Sequence, residues 1–153
     1  MAIKLTTKLI TERLEDSNGK IVGEVKINVN DVKTYDDFLK MVRLLEEVQT
    51  KVKNTKVNDI PKKDAKTIEE FEEIGESIET AYNLTSFAVE KIDEIKPLLD
   101  QIFGVGTAQL VLGDGCDIEQ IIPLIKWATP HFEKARGAKV DKHIGNGGSA
   151  VMR

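Results

Sequence analysis

An α+β fold, mainly helical, is predicted by three observations. Apolar residues alternate with period two near the amino terminus, recur every three or four residues through most of the remainder, and lose all pattern at a glycine-rich end. The expected architecture is an N-terminal β-hairpin over 1–30 and three principal helices within 34–137 of the same domain, the middle one long. A disordered, flexible tail should follow over 138–153. A length of 153 residues suits one domain that buries roughly two-thirds of its unfolded surface. Aromatic residues make up only 5% of the chain, so the core must be built mostly from Ile, Leu and Val.

The hairpin is read first. Ile3, Leu5, Thr7 and Leu9 alternate with Lys4, Thr6 and Lys8, a strand with one buried face, and Ile10 and Leu14 break that alternation late. Ser17-Asn18-Gly19-Lys20 contains Asn-Gly, which accepts the positive φ of a tight turn, and Ile21, Gly23, Val25, Ile27 and Val29 then alternate with polar residues. A hairpin alone is marginal in water, so it must pack on a helix or on strands of another copy.

The first helix carries Tyr35, Phe38, Leu39, Val42, Leu45, Val48 and Val52 and should run to about Asn54, with Thr34 as N-cap and Asp36 and Asp37 in its first turn. The polar stretch Thr55 to Lys66, with Pro61, predicts a loop. Thr67-Ile68-Glu69-Glu70 is a capping-box start for the long helix. Its stripe runs Ile68, Phe71, Ile74, Ile78, Tyr82, Thr85, Val89, Ile92, Ile95, Leu99 and Phe103. Pro97 predicts a bend or a restart at Lys96. Gly104 and Gly106 stop it, Thr107 to Leu112 forms a short helix, and Gly113-Asp114-Gly115 turns. Asp117 with Gln120 opens the last helix, in which Pro123 and Pro130 predict a bend or two segments.

The chemistry available is sparse. A formal charge of -4 gives no general attraction to nucleic acid or anionic lipid. No apolar stretch approaches the roughly 18 residues of a membrane span. Met1 to Thr6 lacks the apolar segment of a secretory signal, and Cys116 has no partner for a disulfide, so a cytoplasmic protein is expected. Cys116, His131 and His143 are too scattered for a metal site, and a Cys116–His131 nucleophile pair would need a base brought close. Gly104-Val105-Gly106 and Gly113-Asp114-Gly115 lack the third glycine, the Gly-Lys-Ser/Thr and the preceding strand of a phosphate loop, and read as helix stops. Glu69, Glu70, Glu72, Glu73, Glu76 and Glu79 read as a solvated face. Lys51, Lys53, Lys56, Lys62, Lys63 and Lys66 could touch an acidic partner but carry no interleaved aromatics for base stacking. No catalytic residue, cofactor or metal is expected. Surface for binding protein remains, and it favours a homo-oligomer or a helical partner.

Phe103-Gly104-Val105-Gly106-Thr107-Ala108-Gln109-Leu110-Val111-Leu112-Gly113-Asp114 follows a long acidic helix and precedes Thr129-Pro130-His131-Phe132-Glu133-Lys134-Ala135-Arg136. This arrangement resembles the tail assembly chaperones of siphophages that infect Gram-positive bacteria. Their pattern is Phe-Gly, an acidic residue, Gly-Thr-Ala, a hydrophobic pair and Phe-Gly. Val105 stands here at the acidic position and Leu112 at the second phenylalanine. The resemblance covers about the second half of the chain, together with size and helix order.

What the resemblance implies is a non-enzymatic protein of the infected host's cytoplasm. Copies would multimerise around the tape measure protein and keep it soluble until tail-tube subunits assemble, then leave before the virion matures. In some such phages a frameshifted longer form recruits the tail-tube protein, and the sequence after Gly145 would suit that junction. The expected protein-binding residues are Ile21, Val25 and Ile27 on the hairpin and Phe71, Ile78, Tyr82 and Val89 on the long helix. Phe103, Gly104, Gly106, Thr107 and Gly113 are the expected structural corner. The rivals are a virion structural or head-tail joining protein, a small ligand-binding protein or enzyme near Cys116 and His131, and, last, a nucleic-acid-binding regulator using the lysine cluster.

Overall fold

The computed structural model describes residues 2–4, 9–55 and 67–144. The chain is an N-terminal antiparallel hairpin, β1 (Ile10–Glu15) and β2 (Ile21–Ile27), followed by helices α1 (Val32–Asn54), α2 (Ile68–Phe103), α3 (Thr107–Leu112) and α4 (Ile122–Ile144), with a 3-10 turn at Ile118–Gln120 before the last. It is mostly helical, and the long element is the middle one. The predicted loop therefore lies, from 56 to 66, outside the described residues.

Asn18-Gly19 makes the hairpin turn, with Gly19 at φ 81° and Asp16 accepting the Asn18 and Lys20 amides. Strand β1 is shorter than the alternation predicts and has the opposite phase. Ile3 and Leu9 are exposed, 5–8 lie outside the described residues, and Ile10 and Leu14 are the residues packed on the core. Pairing explains the phase, since Ile10 lies opposite Ile27 and Leu14 opposite Gly23 on the inward face of β2.

Helix α1 starts before the predicted cap. Asp31, not Thr34, is the N-cap and accepts the Lys33 amide at 3.1 Å, while the Thr34 hydroxyl donates to the Asp31 carboxylate at 2.9 Å. Asp37 consequently falls beyond the first turn, where it is buried and accepts a hydrogen bond from Lys33 Nζ. Phe38, Met41, Leu45 and Val48 are buried, whereas Leu39 and Val52 of the predicted stripe lie half open. Met41, which the predicted stripe omits, is fully buried.

Helix α2 begins on Thr67, whose hydroxyl accepts the Glu70 amide at 3.2 Å, and is continuous through Pro97 with no restart at Lys96. Pro97 faces solvent, so the carbonyl it leaves unbonded on exposed Asp93 can be hydrated. Helix α4 likewise continues through exposed Pro130, and Pro123 sits in its first turn, where a missing N–H is harmless. Asp117 caps the 3-10 turn and not α4 itself, accepting the Glu119 amide at 3.0 Å. The helical region extends past the predicted limit at 137 to Ile144, because one glycine at 137 costs only about 1 kcal/mol and helix-tolerant residues follow it. The rest of the predicted tail, 145–153, lies outside the described residues.

The core gathers Val25, Ile27 and Val29 of the hairpin segment, Phe38, Met41 and Leu45 of α1, Ile92, Ile95, Leu99, Ile102 and Phe103 of α2, and Ile121, Leu124, Ala128 and Phe132 at the last helix. Phe132 stacks on Phe38 with centroids 4.7 Å apart and meets Tyr35 at 5.4 Å. Arg136 lies 4.9 Å from the Tyr35 ring centre and donates to the Val29 carbonyl at 2.7 Å, tying α4 to α1 and the end of the hairpin.

Candidate functional site

The site is built by a mismatch of lengths. Helix α1 has 23 residues and α2 has 36. Lys91 pairs with Glu47 at 3.3 Å and Lys51 sits over the Phe87 ring at 5.7 Å, so the two helices run antiparallel. Extending that register sets the end of α1 level with about residue 84. The amino-terminal part of α2 then reaches about 25 Å beyond it, at 1.5 Å per residue.

Phe71, Ile74, Ile78, Ala81, Thr85, Ala88, Ile92, Ile95, Leu99 and Ile102 follow one another at alternating intervals of three and four, a heptad seam along nearly the whole helix. From Ile92 to Ile102 its large residues are buried, with Ile95 and Leu99 both 0% exposed. Higher up, Phe71 is 62% and Ile78 50% exposed, and beside them Tyr82 is 70% and Val89 38% exposed. Ile68 is open as well. These are the predicted contact residues of the long helix, brought onto one side by spacings of seven, four and seven. Glu72 and Glu79 flank them along one edge, Glu69, Glu73 and Glu76 lie toward the opposite face, and all five are exposed.

The hairpin residues fare differently. Val25 and Ile27 are buried in the chain's own core, so their placement is corrected from contact surface to core, because β2 turns its inward face onto the helices. Ile21, at the start of that strand, remains half exposed. The hairpin's outward face carries Glu24 and Lys26, paired at 3.4 Å, beside the exposed Val22.

The glycine corner joins α2 to α3. Phe103 is buried; Gly104 at φ 113° caps α2 by donating to the Asp100 carbonyl at 3.0 Å; Gly106 at φ 93° precedes α3. The buried Thr107 hydroxyl donates to the Gly104 carbonyl at 2.7 Å, and Gly113 at φ 58° donates to the Gln109 carbonyl at 2.8 Å to end α3. Asp100, which the sequence reading passed over, accepts the Ala108 amide at 2.8 Å and locks the corner from the preceding helix. Val105 stands almost wholly exposed at its tip.

Cys116 is a free, half-buried cysteine packed against the core, and His131 sits edge-on to Trp127 at 5.2 Å on α4. Among the described residues no group of three His, Cys, Asp or Glu side chains could hold a metal ion, and no helix is long and apolar enough to cross a membrane. An open groove of about 630 Å3 lies where α1 ends, lined by Arg43, Glu47, Lys51, Asn54, Phe87 and Lys91 among others. The Glu47 hydrogen bond raises the Lys91 pKa above the ordinary lysine value, with the charges of Glu47 and Glu94 acting in the same direction. Of the predicted lysine cluster, Lys51 and Lys53 are exposed on α1, while 56, 62, 63 and 66 lie outside the described residues. No protein-family model, no curated protein and no solved structure matches the chain.

Proposed function

We propose that the protein is a phage tail assembly chaperone, a non-enzymatic binding protein that multimerises around the tape measure protein and keeps it soluble. The observation that carries this reading is the open apolar side of α2, from Phe71 to Val89, set on a stable helical base. The resemblance of the glycine segment to such chaperones supplies the identity of the client.

Magnitudes favour many copies over one. Full burial of a side chain of this kind contributes about 1.5–3 kcal/mol, and these are already partly covered, so the four together give roughly 3–6 kcal/mol. Association costs about 4–15 kcal/mol in lost freedom. A single copy therefore holds a client weakly, whereas several copies along one long chain hold it by avidity. That arithmetic suits a coat that must later be shed.

The test is co-expression with the tape measure protein encoded nearby, measuring how much of that protein stays soluble. Solubility should rise with this chain present and fall back with Ile78→Asp, whose circular dichroism should stay that of the parent. Equal precipitation with and without the chain would overturn the reading. Abundant copies in purified virions would point instead to a structural component of the particle.

A further inference from the structure

We infer that the exposed half of α2 is shaped for a basic amphipathic helix: a partner segment with apolar residues on one side and Lys or Arg along their edges. The inference rests on the client-binding reading and names the chemistry of the client segment.

Two observations select a helix. The heptad seam packed on α1 lower down continues without change of phase to Phe71, so the open face prolongs an interface that already takes a helix. Beyond the end of α1 the seam is open from Ile68 to about residue 84, about 25 Å, the length of a helix of roughly 17 residues.

Charge selects a basic one. Between Thr67 and Glu90 there is no Lys or Arg, and Glu72 and Glu79 follow Phe71 and Ile78 along one edge of the apolar side. Two copies of α2 laid antiparallel through this face would oppose carboxylate to carboxylate, which disfavours that self-pairing. A helix with lysines at the edges of its apolar stripe gains at both levels, from the seam and from the rim. The lone acidic run would not suffice; the selectivity comes from carboxylates along one edge of an open apolar side.

The experiment uses the full chain and three labelled peptides of about 20 residues, matched to the face. One has leucines at heptad spacing with lysines beside them, the second replaces those lysines by glutamates, and the third keeps the lysines but scrambles the leucines. Fluorescence anisotropy should show the first binding at least about tenfold tighter than either other, with affinity falling as salt rises. Glu72→Lys with Glu79→Lys should shift preference toward the glutamate peptide. Phe71→Ser with Tyr82→Ser, both on exposed positions that leave the fold intact, should remove binding of all three.

Equal binding of the lysine and glutamate peptides overturns the inference, as does binding of the scrambled peptide as tight as the first. So does a dimer of the chain, stable to salt, that the lysine peptide fails to displace from α2. If the tape measure protein is solubilised while the peptides are not distinguished, the charge rule falls and the chaperone reading stands. If the peptides are distinguished and that protein still precipitates, the reverse holds.

Discussion

The two halves of α2 carry the same kind of seam and meet different fates. Ile92, Ile95, Leu99 and Ile102 are sealed between α1, the hairpin and the last helix, while Phe71, Ile78 and Tyr82 stand open to water. Nothing in the spacing changes between them. What changes is the neighbour: α1 stops near the level of residue 84, and no described residue takes over. Helical periodicity reports which side of a helix is meant to be covered, and chain length elsewhere decides whether the cover is internal.

The largest effect that could break this contrast comes from truncating one residue in each half. Leu99→Ala should lower unfolding free energy by about 2–5 kcal/mol, because it deletes buried methyl groups and leaves a cavity in the core. Ile78→Ala should stay within about 0.5 kcal/mol of the parent, as exposed substitutions do. Urea titration of both variants followed by circular dichroism measures the difference. A loss for Ile78→Ala near that for Leu99→Ala would mean that Ile78 is covered within the chain itself.

Much of this was legible beforehand. The hairpin turn at Asn18-Gly19, the Thr67 start, the glycine stops and the order of elements all follow from local preferences that no distant residue overrides. The phase of β1 was not, because strand phase is set by which residues of β2 face the core, and a single chain segment cannot display its partner. The N-cap of α1 is Asp31 and not Thr34, because the Asp31 carboxylate takes both the Lys33 amide and the Thr34 hydroxyl, and local sequence shows only that Thr34 is a good cap. On the site, the Phe71-to-Val89 side was readable from spacing, whereas Val25 and Ile27 look identical in sequence whether they face a partner chain or their own helices. Asp100 escaped notice because its bond to Ala108 spans a turn whose geometry only the fold supplies.

That bond gives an intermediate effect and sharpens the contrast by testing what anchors the buried half. Asp100→Ala removes the side-chain acceptor for an amide at the start of α3, and such caps contribute typically about 1 kcal/mol. Thermal denaturation should show a modest loss, well below that of Leu99→Ala. No loss at all would mean that Gly104, Gly106 and Thr107 hold the corner without help from α2.

The smallest expected effect sits at the border between the halves. Lys91 reaches Glu47 at 3.3 Å and Glu94 at 3.6 Å, and its ammonium sits over Phe87, 5.4 Å from the ring centre. The Glu47 hydrogen bond raises its pKa above the ordinary 10.5. A lysine whose pKa is higher folded than unfolded adds stability that is fully present below the unfolded value and disappears as pH climbs through the folded one. The charge should therefore help at neutral pH and cease to help only above the normal lysine range. Lys91→Met keeps an unbranched apolar stem and deletes the charge, so thermal midpoints of parent and variant should differ slightly at pH 7 and converge above pH 10.5. A difference that persists unchanged in strong alkali would assign the Lys91 contribution to packing. The border of the covered half would then be set by Phe87 and the end of α1, with no share held by the ion pair.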